Sequence, residues 1–383
     1  MQLDIDRFAE TPTPFYYYDL DLLRRTLDHI RECIAGHPYH VHYAMKANSN
    51  PAILRAIAEA GMGADCVSGG ELRAAVEAGF DPKDISYAGV GKTDNEIRLG
   101  IGLGIGAFNV ESVEELEIIA ETARQLGTPA NICLRINPDI DAHTHHYITT
   151  GIAENKFGID MSLLDRAISI TKSYPELNFV GLHFHIGSQI TSTDPLVLLC
   201  ERIAVIAARV EAAGLDIKML NVGGGLGIDY DNPEINPIPD FAAYFKVFKK
   251  HLHLRPGQRL VCEPGRSIVA QCGTLVTRAI YIKNGISRKF LIVDGGMSDL
   301  IRPALYQAHH AIRNLSAMKR GETATETYDV VGPICETADT FATDEVLPLS
   351  RRGDIIVFLS AGAYGESMSS KYNMRALPAK IFG

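Results

Sequence analysis

The sequence predicts an α/β protein: a (β/α)8 barrel over residues 26–265, followed by a mostly antiparallel β domain formed by residues 266–383 together with 1–25. Three observations predict it. Short β-like runs alternate with helical runs eight times before Glu263, the pattern of parallel strands joined by crossover helices. The rhythm changes after about residue 265, where strand-like runs follow one another with few helices between. The first 25 residues carry a strand-like run, FYYYDL, ahead of the first barrel element.

The expected barrel strands are 40–46 (HVHYAMK), 62–66 (MGADC), 85–89 (ISYAG), 105–110 (IGAFNV), 131–137 (NICLRIN), 179–185 (FVGLHFH), 217–222 (IKMLNV) and 259–263 (RLVCE). Between them, PAILRAIAEAG (51–61) sets Ile53, Ile57 and Ala60 on one helical face. GELRAAVEAG and SVEELEIIAETARQLG have the same period, and each ends in glycine, a common helix stop. LLDRAISITKSY and PLVLLCERIAVIAARVEAAG continue the series. An open doubly wound sheet would show the same alternation, because periodicity does not count closure. The stretch NPDIDAHTHHYITTGIAENKFG is long and polar, so residues 138–160 form a long βα loop of the kind that carries function. Beyond the barrel, SIVAQCGTLVTRAIYIKNG, KFLIVDGG, ETYDVVGPICE and DIIVFLSAGAYG read as strands and RPALYQAHHAI as the best helix.

Of 383 residues, 46% are hydrophobic and 22% charged, which is ordinary globular composition. A net charge of -9 with no basic run argues against nucleic acid and against an anionic membrane surface. No apolar run reaches the roughly 18 residues that span a bilayer. Seven dispersed cysteines (33, 66, 133, 200, 262, 272 and 335), with no CxxC pair, fit free thiols in a reducing compartment. The segment MQLDIDRFAETPTPF has no apolar core of a secretory signal, so a cytoplasmic location is expected.

In a barrel of this kind the active site forms at the C-terminal ends of the strands. Lys46, Asp65, Arg135, Asn137, His185, Gly223-Gly224-Gly225 and Glu263 all fall there. A lone lysine is most often a solvated surface residue, but one sharing a face with these groups is better read as functional. A buried lysine sheds its proton more easily, and a neutral amine forms a Schiff base with an aldehyde. NVGGGLG lets backbone N–H groups crowd a phosphate, although three glycines are more often a tight turn. In EPGR, Glu263 can keep a pyridine nitrogen protonated and Arg266 can hold a phosphate or carboxylate; alone, the motif reads equally as a turn with a surface ion pair. His183 and His185 lie two apart on one strand face. A metal pair there lacks a third ligand of suitable spacing, so no metal is expected. His183 is expected as a satisfied core histidine, while His185 could stack on a flat ring.

Taken in order, HYAMKAN, ADCVSGGEL, HFHIGSQ, NVGGGLG, CEPGR, MSDLIRPALY, GPICE and GAYG resemble the alanine-racemase-like (fold type III) pyridoxal-phosphate-dependent decarboxylases along nearly the whole chain. The resemblance implies a pyridoxal 5'-phosphate cofactor at the barrel mouth. Lys46 matches the Schiff-base lysine, His185 the ring-stacking residue and Glu263 the partner of the pyridine nitrogen. Asp65 matches an acidic position near the lysine. Ser188, Gly223, Gly224, Gly225, Gly265, Arg266 and Tyr364 match cofactor-holding positions. The resemblance further implies a homodimer whose sites are completed across the interface, with Cys335 entering from the second subunit to protonate the carbanion left by loss of CO2. Without the GPICE context, Cys335 would be read as a small buried hydrophobe.

The implied reaction converts meso-2,6-diaminopimelate to L-lysine and CO2, the last step of lysine biosynthesis. Its second carboxylate needs a bidentate partner, for which Arg302 is the first candidate and Arg266 the second. Glu336 can take the distal ammonium, and Tyr306 and Tyr364 supply hydroxyls. Carboxynorspermidine, ornithine and arginine are alternative substrates, and a cofactor carrier without catalysis is a third reading. Racemization would need a second base on the opposite face. Glu366, in GAYGESMSSKYNMR, stands where many relatives have an apolar residue, which bears on local packing.

Overall fold

The computed structural model describes residues 3–140 and 156–383. It contains two compact units: Leu27–Gly227 with Asp240–Gly265, and Met1–Thr26 with Ile228–Pro239 and Arg266–Gly383. Residues 228–239, read in the sequence as continuous with the barrel, cluster with the second unit.

Strand β1 (Phe15–Tyr18) precedes the barrel in the chain and belongs to the second unit. The first unit is a closed barrel of eight parallel strands: β2 (Tyr39–Ala44), β3 (Gly63–Cys66), β4 (Ile85–Tyr87), β5 (Ala107–Val110), β6 (Ala130–Arg135), β7 (Leu177–His183), β8 (Met219–Asn221) and β9 (Arg259–Cys262). Closure is made by β2 against β9, with Tyr39 opposite Leu260 and Val41 opposite Cys262. This excludes the open-sheet alternative. Ala107, Cys133, Met219 and Val261 form a buried cluster of small and medium side chains in the barrel. The helices begin where the sequence offers caps. Ser68 caps Gly69–Ala78, Ser112 caps Val113–Leu126, and Thr93 forms a reciprocal capping box with Glu96 at the start of Asp94–Leu103. Each such cap is worth about 1 kcal/mol. Gly79 and Gly127 end two of these helices in the left-handed conformation.

Seven of the eight paired strands are shorter than the apolar runs suggested, and β7 keeps its length but starts and ends two residues earlier. Lys46, Asn137, His185, the 223–225 glycines and Glu263 lie just past the last strand residue. The long polar loop of the sequence reading falls mainly on residues 141–155, outside the described residues.

The second unit is an eight-stranded, mostly antiparallel sheet. Its main path runs β12 (Ile312–Asn314), β15 (Ile355–Phe358), β10 (Gly273–Asn284), β11 (Lys289–Val293), β13 (Thr325–Val331) and β14 (Thr340–Pro348). The run FYYYDL does join this sheet: β1 pairs antiparallel with β10 and parallel with β16 (Ala379–Phe382). Phe8, Phe15, Tyr17, Val276, Ala311, Ile355, Val357 and Leu359 make its apolar core. Burying each large side chain stabilises by roughly 1.5–3 kcal/mol.

Several sequence expectations fail here: GPICE and SAGAYG, read as strand, lie past the ends of β13 and β15. RPALYQAHHAI is helical only over Arg302–Tyr306; Gln307 turns left-handed (φ 53°) and the chain re-enters the sheet at Ile312. SIVAQC is not strand, since Arg266–Val269 is a helical turn and β10 starts at Gly273.

Candidate active site

The segments that leave the C-terminal ends of the strands build the barrel mouth. After β2, the backbone enters a 3-10 turn over Met45–Ala47 that buries Met45 and Ala47 and leaves Lys46 between them exposed. The desolvation expected for Lys46 is therefore not provided by this chain. The turn lifts the side chain onto the rim instead of packing it in the core. Its ammonium still acts on the mouth: it lowers the pKa of Asp65, Glu71 and Glu263, and disfavours a charge on His183 and His185.

Glu263, one residue past β9, is buried at 6% exposure and forms the centre of a hydrogen-bond network. Asn221 Nδ2 (2.6 Å) and Asn109 Nδ2 (3.3 Å) donate to Oε1, and His183 Nε2 lies 2.9 Å from Oε2. Burial and the nearby Arg135 and Lys46 charges keep His183 neutral, so its Nε2–H is the donor. His183 is thus a core histidine, as expected, and its imidazole also holds the carboxylate in place. Asp65, 3% exposed, has one oxygen with no hydrogen-bond partner. Burial raises the carboxyls of both Asp65 and Glu263, and the Glu263 charge raises Asp65 further.

His185, two residues past β7, is half-buried, and Gly224 N–H points at its Nδ1 from 3.3 Å. Burial and the Lys46 charge keep this imidazole neutral. The His185–Ile190 loop, which includes half-buried Ser188, packs on the glycine loop: Ile190 N–H donates to Gly225 O at 2.8 Å. The glycines are required by that packing. A Cβ on Gly223 would lie 2.4 Å from Phe184 O, one on Gly224 2.2 Å from Glu263 O, and one on Gly225 2.9 Å from Gly187 O. Gly223 (φ 69°) and Gly225 (φ 119°) also adopt conformations that side chains resist. Gly265 packs closely on Ala44, where a Cβ would meet the Ala44 side chain at 3.0 Å.

Sequence reasoning missed a third layer. Glu111 accepts from Arg135 Nη1 (2.5 Å), Gly89 N–H (2.8 Å) and Gly158 N–H (2.9 Å). Burial pushes its pKa up, but Arg135 and Lys92 outweigh that and hold it below the usual value. Lys92, buried, donates to Glu115 at 2.6 Å. Glu71 reaches back to Val67 N–H (2.6 Å), and burial raises its carboxyl to about 7. A usable signal existed for Asn109 and Asn221: both are polar amides set into apolar strands, in FNV and LNV.

The β unit holds a separate cluster. Arg266 and Arg302 are both buried. Arg266 Nη1 donates to Tyr230 Oη at 2.7 Å, and its guanidinium sits 4.9 Å from the Tyr364 ring centre. Arg302 lies 4.5 Å from the Tyr230 ring centre and donates to His310 Nε2 at 2.7 Å. Arg302 is therefore not a surface arginine. Tyr364 is half-buried with φ 56°, and Tyr306 is half-buried at the end of the Arg302 helix. Cys335 is exposed, and Asn373 Oδ1 accepts from its N–H at 3.2 Å. Glu336 is exposed and accepts from Tyr372 Oη at 2.5 Å. Glu366 finds polar partners: Tyr18 Oη donates to it at 2.7 Å and Lys380 lies at 3.4 Å.

An amine on the rim, two buried carboxyls still raised despite the Lys46 and Arg135 charges, and a side-chain-free loop are the parts of a cofactor-binding barrel mouth. The residues fit pyridoxal phosphate. The unpartnered Asp65 oxygen and the raised carboxyls suit a cationic ring nitrogen, and the glycine loop leaves backbone exposed to an anionic tail. Residues 20–270 match the model of the pyridoxal-dependent decarboxylase family, pyridoxal binding domain. The diaminopimelate decarboxylase of Bacteroides thetaiotaomicron is 52% identical, with 98% of this chain and 96% of that protein covered. That of Helicobacter pylori is 43% identical over 96% and 89%. Among solved structures, the H. pylori diaminopimelate decarboxylase complexed with L-lysine superposes with a TM-score of 0.92 at 40% identity, covering 99% of this chain and 93% of that one. The chain belongs to the pyridoxal-dependent decarboxylase family.

Proposed function

We propose that this chain is a cytoplasmic, homodimeric decarboxylase that converts meso-2,6-diaminopimelate to L-lysine and CO2 with pyridoxal 5'-phosphate. The observation that carries the reading is the carboxyl cluster of Glu263 and Asp65 beside the rim lysine, in a chain 52% identical to a diaminopimelate decarboxylase.

Lys46 would anchor the cofactor aldehyde through its ε-amine, with His185 and Glu263 holding the ring. Ser188, Gly223, Gly224, Gly225, Gly265, Arg266 and Tyr364 would serve its phosphate. When bound, the cofactor would supply an electron sink for the bonding pair left on the α-carbon as CO2 departs. Neutral His183, Asn109 and Asn221 hydrogen-bond both Glu263 oxygens and fix the orientation in which the carboxylate would hold a ring nitrogen. Asp65, a carboxyl raised by burial and by Glu263, would be drawn toward its charged form by a cationic ring nitrogen and would in turn favour that nitrogen's protonation. Cys335 Sγ, acting from the partner subunit, gives its proton to the substrate α-carbon. Arg302 takes the distal carboxylate, with Tyr306, Tyr364 and Glu336 completing recognition of the distal end.

Arg302 also separates this substrate from ornithine and arginine, which lack a distal carboxylate. The test is direct. Purified protein with added cofactor, weighed by light scattering, is expected as two chains. It should release CO2 and L-lysine from meso-diaminopimelate in equal amounts, and much less CO2 from ornithine or carboxynorspermidine. Arg302→Ala should raise KM for meso-diaminopimelate roughly 10- to 100-fold, the scale of a lost charge-assisted contact. Preferred turnover of ornithine, or unchanged kinetics in the Arg302 variant, would sink the assignment.

A further inference from the structure

His310 lies eight residues past Arg302 and is buried, at 2% exposure, between helix Arg302–Tyr306 and strand β12. Its two ring nitrogens have different partners. Nδ1 is 2.9 Å from Leu359 O, and a carbonyl only accepts, so Nδ1 carries the hydrogen. Nε2 is then a bare lone pair, and it faces Arg302 Nη1 at 2.7 Å. The tautomer is therefore set by the backbone just past the end of strand β15. Tyr230 closes the arrangement: its ring stands edge-on to the imidazole at 5.1 Å and faces the Arg302 guanidinium at 4.5 Å.

A buried arginine is usually held by a carboxylate, which cancels its charge. Among the described residues no carboxylate pairs with Arg302, and its Nε has no hydrogen-bond partner. The charged and titratable groups acting on it include Tyr230, Arg266, Tyr364 and Tyr306, besides His310 and Tyr16. Imidazole and phenol ring orient the guanidinium without neutralising it. A positive charge kept in place this way is free to serve an incoming anion.

We infer that His310 is a positioning residue for the substrate's distal carboxylate, holding the Arg302 guanidinium through an uncharged acceptor. This rests on the reading that Arg302 meets that carboxylate. An acid at position 310 would orient Arg302 equally well but would compete with the substrate for it, so a neutral partner is what a carboxylate-recognising site needs.

The experiment uses the full chain with pyridoxal phosphate, meso-diaminopimelate as substrate and 1,5-diaminopentane, which has no carboxylate, as a competing inhibitor. His310→Asn keeps an amide near Leu359 but is too short for Arg302. His310→Gln reaches Arg302 with a neutral acceptor. The Asn variant is expected to raise KM roughly tenfold, the scale of one hydrogen bond to a charged group, with kcat nearly unchanged and inhibition by diaminopentane as in the wild type. The Gln variant is expected to stay close to wild type. Equal shifts in both variants, a fall in kcat matching the rise in KM, or an equal loss of diaminopentane inhibition would overturn the inference. Unfolding of the Asn variant alone, read by circular dichroism, would assign the imidazole to the fold and overturn it as well. Arg302→Ala run alongside separates the two failures. Wild-type kinetics there remove the parent reading, whereas a raised KM there with a normal KM in His310→Asn removes only the role of His310.

Discussion

Glu263 illustrates how a residue stores a requirement for a ligand. Its hydrogen-bond donors, Asn109, Asn221 and neutral His183, are all uncharged, and together with the Lys46 and Arg135 charges they only partly offset the cost of burying its charge. Its folded pKa therefore rises, to about 7, above the ordinary 4.5. For a raised carboxyl, stability is fully present below the unfolded pKa and fades as pH rises through the folded one. Asp65 contributes with the same sign. The cofactor-free protein should accordingly lose thermal stability between about pH 4.5 and pH 7, and Glu263→Gln should make that loss shallower. Differential scanning calorimetry of both forms across this range checks it; parallel curves would mean that Glu263 is not the titrating group. At the same scale, the place of Lys46 at the barrel mouth was legible from its position at the end of a strand. Its exposure was not, because a three-residue turn is too short to leave a hydrophobic pattern.

At the scale of elements, the loops after β4, β5 and β6 are tied by one carboxylate. Glu111 joins Gly89, Arg135 and Gly158, and Arg135 also lies 4.9 Å from the Phe157 ring centre. Glu111→Leu would leave Arg135 buried without its acid, a change costing roughly 3–5 kcal/mol. Urea unfolding followed by circular dichroism should show a loss of stability of that size; an unchanged midpoint would mean the network is dispensable. The barrel strands were readable because each is a short apolar run between helical periods. Their ends were overrun by a few residues at most, since paired and unpaired extended backbone carry the same residues there. In the β unit, β14 (TFATDEVLP) buries only Phe341 and Leu347 and has no apolar run to betray it. RPALYQAHHAI has helix-forming composition, but Gln307 breaks it by turning left-handed, a tertiary choice that composition does not encode.

For the whole molecule, sequence order carried more than periodicity did. The motif series pointed to the family, while the periods alone left barrel and open sheet equally possible. What no motif exposed were partners distant in sequence. Asn109 and Asn221 reach Glu263 only because β5 and β8 curve into one closed barrel, and His310 accepts from Arg302 only because Leu359 fixes its tautomer. None of the described helices is long and apolar enough to cross a membrane. The account turns on Lys46 as the amine that takes the aldehyde of pyridoxal phosphate. Borohydride reduction of the cofactor-loaded protein, followed by peptide mass spectrometry, tests this most directly. The account predicts one pyridoxyl mark per chain, on the peptide containing Lys46, and none there in Lys46→Ala. A mark on another lysine, or no mark on a protein that still decarboxylates, would contradict it.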